Sequence, residues 1–195
     1  MKDTSSVKGN SARVTLLFIA AVPVIMLMAA CGAEEIDTTG LPGEMEITSP
    51  VFEEGGAIPV RYSCEGEDIS PELNWDEVPG GTESFVLIAD DPDAPGGIFT
   101  HWVVFNIPAG TYRLAEGTPG EPQLACRAFQ CRNGFGNTGY GGPCPPRGSL
   151  HHYRFTLYAL DRTLDLAASA SRAQVVNAME GHILDMARLT GTFQR

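Results

Sequence analysis

Beyond Lys8 the 195-residue chain contains no lysine, so arginine supplies every later permanent side-chain cation. Lys and Arg together number 13 against 24 Asp and Glu, a formal net charge of −11. Residues 1–30 hold Lys2, Lys8, Arg13 and Asp3, so removing them leaves 10 basic and 23 acidic residues and a balance of −13. A surface of that sign repels nucleic acid and anionic lipid at long range, and no nucleic-acid partner is expected. No Gly-x-Ser-x-Gly and no HExxH spacing occur, so the usual marks of a serine nucleophile or a zinc protease are absent. Internal repeats and low-complexity tracts are also absent. One domain with a substantial core, without a second, is what this length predicts.

What is present begins with a basic start (Lys2, Lys8, Arg13) followed by an apolar run from Val14 to Ala30, interrupted only by Thr15 and Pro23. The run ends in Leu27-Met28-Ala29-Ala30-Cys31, small residues directly ahead of a cysteine. This is similar to a bacterial lipoprotein signal, in which the thiol is acylated and the chain is cut before it; Met28 stands where Leu is preferred. A signal anchor is the competing reading, since 17 apolar residues reach the short limit for a span. Pro23 and the small-residue exit favour cleavage. Residues 1–30 are therefore expected to be a signal peptide. Residues 31–44 would be an acidic flexible tether lipidated at Cys31, with the mature chain held at the cell envelope by its acyl chains. Gly32 is not Asp, which in a double-membrane bacterium directs sorting to the outer membrane.

Five cysteines less the lipidated one leave Cys64, Cys126, Cys131 and Cys144, an even set suited to an oxidising compartment. Cys126 and Cys131 bracket only four residues and could close locally, leaving Cys64 and Cys144 for a long-range bridge. A four-cysteine zinc site is the rival, but one Cys-x4-Cys with two lone partners is a weak signal for it. No metal and no cofactor are expected.

Residues 45–195 read as the folded domain. Gly 22 and Pro 14 imply many turns and short strands. Strands are predicted at Glu46–Ser49, Ile58–Tyr62, Ser84–Ala89, Thr100–Ile107 and Tyr153–Leu160, from their apolar, β-branched and aromatic content. A short last strand is predicted at Leu189–Phe193. Gly134 to Gly148 is too rich in glycine and proline to be regular. Val175, Val176, Met179, Ile183 and Met186 fall at helical spacing, and Ser171 with Gln174 fits a capping box. The pattern predicts a mainly β, antiparallel sandwich with a C-terminal helix.

Several stretches, taken in order, carry a resemblance. They are Ser70-Pro71 through Leu73 and Trp75, Val78-Pro79 with Gly81-Thr82, and Asp91-Pro92-Asp93-Ala94-Pro95. His101 to Asn106 (HWVVFN), Gly139 to Pro146 (GYGGPCPP), His151 with Tyr153, Leu157 to Asp161 and Ala178 to Leu184 follow. Together they resemble the bacterial, Raf-kinase-inhibitor-like branch of the phosphatidylethanolamine-binding family, over nearly everything after the tether. The resemblance implies a two-sheet, Greek-key-like β-sandwich with a small anion-accepting pocket at one end. Asp91, His101, Pro145, Pro146, His151 and Tyr153 would line it, with Asp93 close by. Two departures bear on its supports. The family's His-Arg-Tyr is His151-His152-Tyr153 here, and its Asn-Asp-Phe-Gly is Asn133-Gly134-Phe135-Gly136.

Read without the family, Asp-Pro-Asp-Ala-Pro is a turn, and a histidine at a strand start is a structural residue. Their co-occurrence changes that. Asp91, at a strand end, can accept one ring N–H of His101, at the start of the next strand, and leave the other nitrogen for a ligand. His151 and Tyr153, two apart on a strand, share a face. Two imidazoles, a phenol and backbone N–H groups can bind a small oxyanion. The expected function is a membrane-anchored binding protein for a phosphate, phospholipid head group or carboxylate-type ligand. The alternatives are a regulator of an unknown envelope partner protein and a hydrolase using the Asp and His groups for acid–base work, although no nucleophile is evident. No catalytic residue is assigned.

Overall fold

The computed structural model describes residues 36–195, besides Met1; the expected signal peptide, Cys31 and the start of the expected tether lie outside the described residues. Eight strands and one helix follow: β1 (Glu46–Thr48), β2 (Leu73–Asp76), β3 (Ser84–Asp91), β4 (Phe99–Pro108), β5 (Arg113–Leu114), β6 (Phe129–Gln130), β7 (Leu150–Leu160), α1 (Arg172–Met179) and β8 (Ile183–Gln194). All strand pairings are antiparallel, in a three-stranded sheet of order β1-β2-β5 and a five-stranded sheet of order β6-β4-β3-β7-β8. In the larger sheet β7 returns to lie beside β3, so the order β7-β3-β4-β6 has Greek-key character.

Every residue of β3 is buried, and its two faces feed two cores. Phe85, Leu87 and Ala89 meet Trp102, Val104, Phe155 and Leu157 of the neighbouring strands and Leu73 and Trp75 of the smaller sheet. Val86 and Ile88 face the other way, packing with Val103, Phe105 and the helix residues Val175, Val176 and Met179. Each such large apolar side chain contributes about 1.5–3 kcal/mol on burial.

The helix begins as its sequence dictates, with the Ser171 hydroxyl accepting from the Gln174 N–H and the Gln174 side chain accepting from the Ser171 N–H. It ends sooner than the apolar spacing suggests. Gly181 adopts φ +74°, His182 N–H closes on the Met179 carbonyl at 3.0 Å, and Ile183 opens a strand. The strand read as Leu189–Phe193 thus spans Ile183–Gln194, and Ile183 and Met186 belong to it instead of the helix. Ile58–Tyr62 is likewise not a strand. Ala57 makes one bridge to Thr192, and Pro59 leads into a 3-10 turn at Val60–Tyr62.

Cys64 and Cys144 are disulfide-bonded across 80 residues with Cα atoms 5.5 Å apart, while Cys126 and Cys131 are unbonded, against the local bridge that their spacing allows. The reason is which way they face. Cys126 packs on the core between the sheets, and Cys131 is buried in the core beneath α1. Burial also pushes the Cys131 thiol up to about 11, so it is a poor thiolate. Thiol counting under denaturing, non-reducing conditions should find Cys126 and Cys131 reactive in addition to Cys31 if that residue carries no lipid. Full protection of both would show that they are oxidised after all.

The end of the segment expected to be a tether is fastened to the domain. Asp185, wholly buried, accepts hydrogen bonds from the N–H groups of Gly43, Glu44, Met45 and Met186 at 2.8–3.0 Å. Burial pushes this carboxyl up, but the four N–H donors together outweigh it and hold it below the usual range. A lowered native value means stability that is present above about pH 4 and is lost as the pH falls through that native value. Asp185→Asn is expected to cost about 1.5–3 kcal/mol at pH 7, because an amide turns donors toward donors. The gap to wild type should narrow near pH 3 in urea denaturation; a gap that is constant with pH would exclude the charge as its source.

Candidate functional site

The site sits where β3, β4 and β7 converge with the irregular loop before β7. β3 ends at Asp91 as the chain enters the Pro-stiffened Asp90-Asp91-Pro92-Asp93 turn, where the Asp93 N–H donates to Asp91 Oδ1 at 2.8 Å. On β4, a β-bulge opposite Ala89 and Asp90 changes the register. Ala89 faces Trp102 and Asp90 faces Thr100, leaving His101 without a partner across the ladder. The bulge brings the His101 ring to the inner face, where it meets Tyr153 edge-on at 5.1 Å. His151 and Tyr153 sit two apart on β7 and are both buried.

A cleft of about 320 Å³ is lined by five of the seven residues read from the sequence: Asp91, His101, Pro145, Pro146 and His151. Tyr153 is packed against His101 with its hydroxyl buried; the Cys144 amide approaches the hydroxyl, but no hydrogen bond of good geometry is completed. Burial, with Asp91 nearby, pushes the Tyr153 phenol far above its usual range, so it remains an O–H donor. Asp93 does not line the cleft. Its Oδ2 accepts from the backbone N–H and ring Nδ1 of His152, at 2.8 and 2.7 Å. That pairing holds the Asp93 carboxyl below the usual range. His152, standing where the family has arginine, thus engages Asp93 on the rim.

The two cleft histidines are fixed by different partners. His151 Nδ1 lies 2.7 Å from Asp91 Oδ2, with both side chains almost wholly buried. His101 Nδ1 lies 2.7 Å from the Gly141 carbonyl. The aspartate therefore orients His151; the sequence had suggested His101. A carbonyl only accepts, so Nδ1 of His101 carries its proton and Nε2 is the open position. Burial pushes the His101 imidazole below its ordinary value, partly offset by Gly141 and by the charges of Asp91 and Asp90. Among the described residues, no group of three or more His, Cys, Asp or Glu is placed to hold a metal ion.

The sequence reading did not include Phe99, Phe135, Cys144 and Arg195, which also line the cleft. Phe99 packs on His101 at 5.0 Å and on Phe135 at 4.8 Å, forming an apolar wall opposite the prolines. A period-2 count back from His101 could have flagged Phe99. The Gly134 departure now has a cause: a Cβ there would lie 2.5 Å from the Phe99 ring, so any side chain must displace it. Arg195 places Nη1 3.1 Å from the Cys144 sulfur, bringing a cation to the cleft where the family's arginine is missing. Nothing local in the sequence could have announced it, because the β7–β8 pairing of Leu150 with Gln194 brings it there.

Comparison with known proteins agrees with this architecture. Residues 48–194 match the family model described as phosphatidylethanolamine-binding protein. A UPF0098 protein of Methanothermobacter thermautotrophicus is 50% identical over 151 residues, covering 77% of this chain and 99% of its own. LppC of Mycobacterium tuberculosis, whose name marks it as a lipoprotein, is 41% identical over 151 residues, 77% of this chain and 72% of its own. The crystal structure of the phosphatidylethanolamine-binding protein homolog CT736 from Chlamydia trachomatis superposes with a TM-score of 0.71 at 40% identity, covering 78% of this chain and 99% of that one. That of Escherichia coli YbcL gives 0.72 at 35% identity, with the same coverage.

Proposed function

The chain belongs to the phosphatidylethanolamine-binding protein family, and on that footing we propose that it is a lipid-anchored envelope protein whose cleft captures a small anionic group. Phosphate, a phospholipid head group or a carboxylate would suit it. The observation that carries this reading is the pair of buried imidazoles, each held at Nδ1 by an acceptor and left with Nε2 for a ligand. The Arg195 guanidinium and the unsatisfied Tyr153 hydroxyl add donors beside them. The apolar wall of Phe99, Phe135 and the two prolines limits competing water, which strengthens each polar contact. Binding alone is proposed, and no catalytic step is assigned. Isothermal titration with inorganic phosphate, acetate and phosphoethanolamine tests it. Saturable heat for at least one is expected, and silence for all three at millimolar concentration would sink the reading.

The anchoring half rests on the signal-like start, the residues ahead of Cys31 and the lipoprotein name borne by the mycobacterial relative. Cys31→Ala should abolish palmitate incorporation and release the protein from membranes or leave an unprocessed precursor. A variant that fractionates and incorporates label like wild type would refute the anchor.

A further inference from the structure

The opposite face of the large sheet carries a second polar cavity, of about 240 Å³, outside the cleft described above. Asp90 and Asp91 are consecutive on β3, so their side chains point to opposite faces. Asp91 serves His151, whereas Asp90 accepts from Arg172 at 2.8 Å at the start of α1. Around this second pair stand Arg154 of β7 and Arg188 of β8, held in neighbouring rows by the β7–β8 register. Beyond the first 30 residues only ten cations remain, all arginine, in a chain of balance −13. Three of the ten converge here.

The charges do not cancel. Asp90 is matched by Arg172. Arg188 donates from Nε to the neutral Thr156 hydroxyl at 3.1 Å, and Arg154 has no ion-pair partner among the described residues. Among the described residues two guanidinium charges are therefore left without a counter-charge, and the Arg172 Nε–H is buried without a hydrogen-bond partner. Guanidinium forks match tetrahedral oxyanions in bidentate geometry, and a site with two unmatched positive charges suits a doubly charged anion. The cavity of about 240 Å³ has room for such a group. We propose that Arg154, Arg172 and Arg188 form a second anion site, on the α1 side of the large sheet, that takes a phosphate group. The phosphate is either free or carried on a lipid head group.

The test uses the full chain in detergent and follows the ¹⁵N–¹H signals of the arginine Nε–Hε groups, assigned by substitution. Inorganic phosphate is one probe and dihexanoyl phosphatidic acid below its micelle range is the other. Saturable shifts at Arg154 and Arg188 with Kd near or below about 1 mM are expected. An R154Q/R188Q double variant should weaken the response at Arg172 at least about tenfold, the scale of one lost charge-assisted contact. His151→Ala should leave these signals responding, which separates this site from the cleft. Equal response to the two probes identifies phosphate itself as the ligand; tighter binding of the lipid identifies the head group on its glyceride. No saturable shift with either probe overturns the proposal. So does a response that appears only after Glu34→Gln and Glu35→Gln, which would make the tether's own carboxylates the occupant.

Discussion

Replacing Cys64 and Cys144 together by serine is expected to lower the unfolding free energy by about 2–5 kcal/mol, as for other native disulfides. The bridge closes a loop across 80 residues. Chain entropy alone would make such a cross-link worth about 4.5 kcal/mol, by confining the unfolded chain. The bridge is also next to the cleft. Cys144 directly precedes Pro145 and Pro146, and the segment is further tied by Cys64 N–H to the Pro143 carbonyl and by Gly142 N–H to Asp68 Oδ1. Gly142 leaves no room for relaxation, since a Cβ there would lie 2.3 Å from the Tyr62 carbonyl oxygen. The loss should therefore appear in ligand affinity as well as in stability, because the proline wall is released from one of its fixings. Equilibrium unfolding in guanidinium, with wild type measured both with and without reductant, checks this. Reduced wild type should match the double variant, since Cys126 and Cys131 contribute no bond. A difference below about 1 kcal/mol would mean that the unfolded chain is already compact without the bridge.

The strength of this linkage contrasts with how little of it the sequence displays. Strands β3, β4 and β7 are readable because continuous apolar runs have no other home than a doubly covered sheet. β5 and β6, with two residues each, carry no periodicity to read. The helix was overextended because Ile183 and Met186 satisfy a helical spacing and pack against the same core from a strand. Only the turn at Gly181 separates the two readings. At the site, the family resemblance implied Asp91, His101, His151 and the two prolines, which line the cleft, together with Tyr153 and Asp93, which do not. Which acceptor holds which imidazole depended on a bulge that shifts β4 by one residue, and no local signal encodes that. Arg195 is contributed by strand pairing across more than forty residues of sequence.

That assignment of acceptors determines how the cleft should respond to pH. His101 donates its Nδ1 proton to a carbonyl, and His151 holds its Nδ1 against a carboxylate. In their neutral forms both rings then present a lone pair at Nε2, which repels an oxyanion. Each becomes a donor only by gaining a proton. The Asp91 carboxylate adds to the opposition while His151 is neutral, and forms a neutral pair with it once His151 is charged. Affinity must therefore rise as the pH falls. Because burial pushes His101 below the ordinary histidine value of about 6.5, its share of the rise lies on the acid side of that value. Acetate is the suitable probe, because a carboxylate stays ionised down to about pH 5. Its affinity should increase at least about tenfold from pH 8 to pH 5.5, with the rise still under way at pH 6. The balance of −13 beyond residue 30 opposes any anion at long range, but salt screens that field over about 8–10 Å and the buried contacts much less. Moderate salt should thus change affinity little, provided its anion stays out of the cleft. His151→Ala should cost about 1.5–3 kcal/mol of binding if its contact is charge-assisted. His182→Ala should cost almost nothing, because His182 sits apart from the cleft on Asp161 and Arg162. Affinity that is flat from pH 8 to pH 5.5 and equal in the two variants would place the anion site elsewhere.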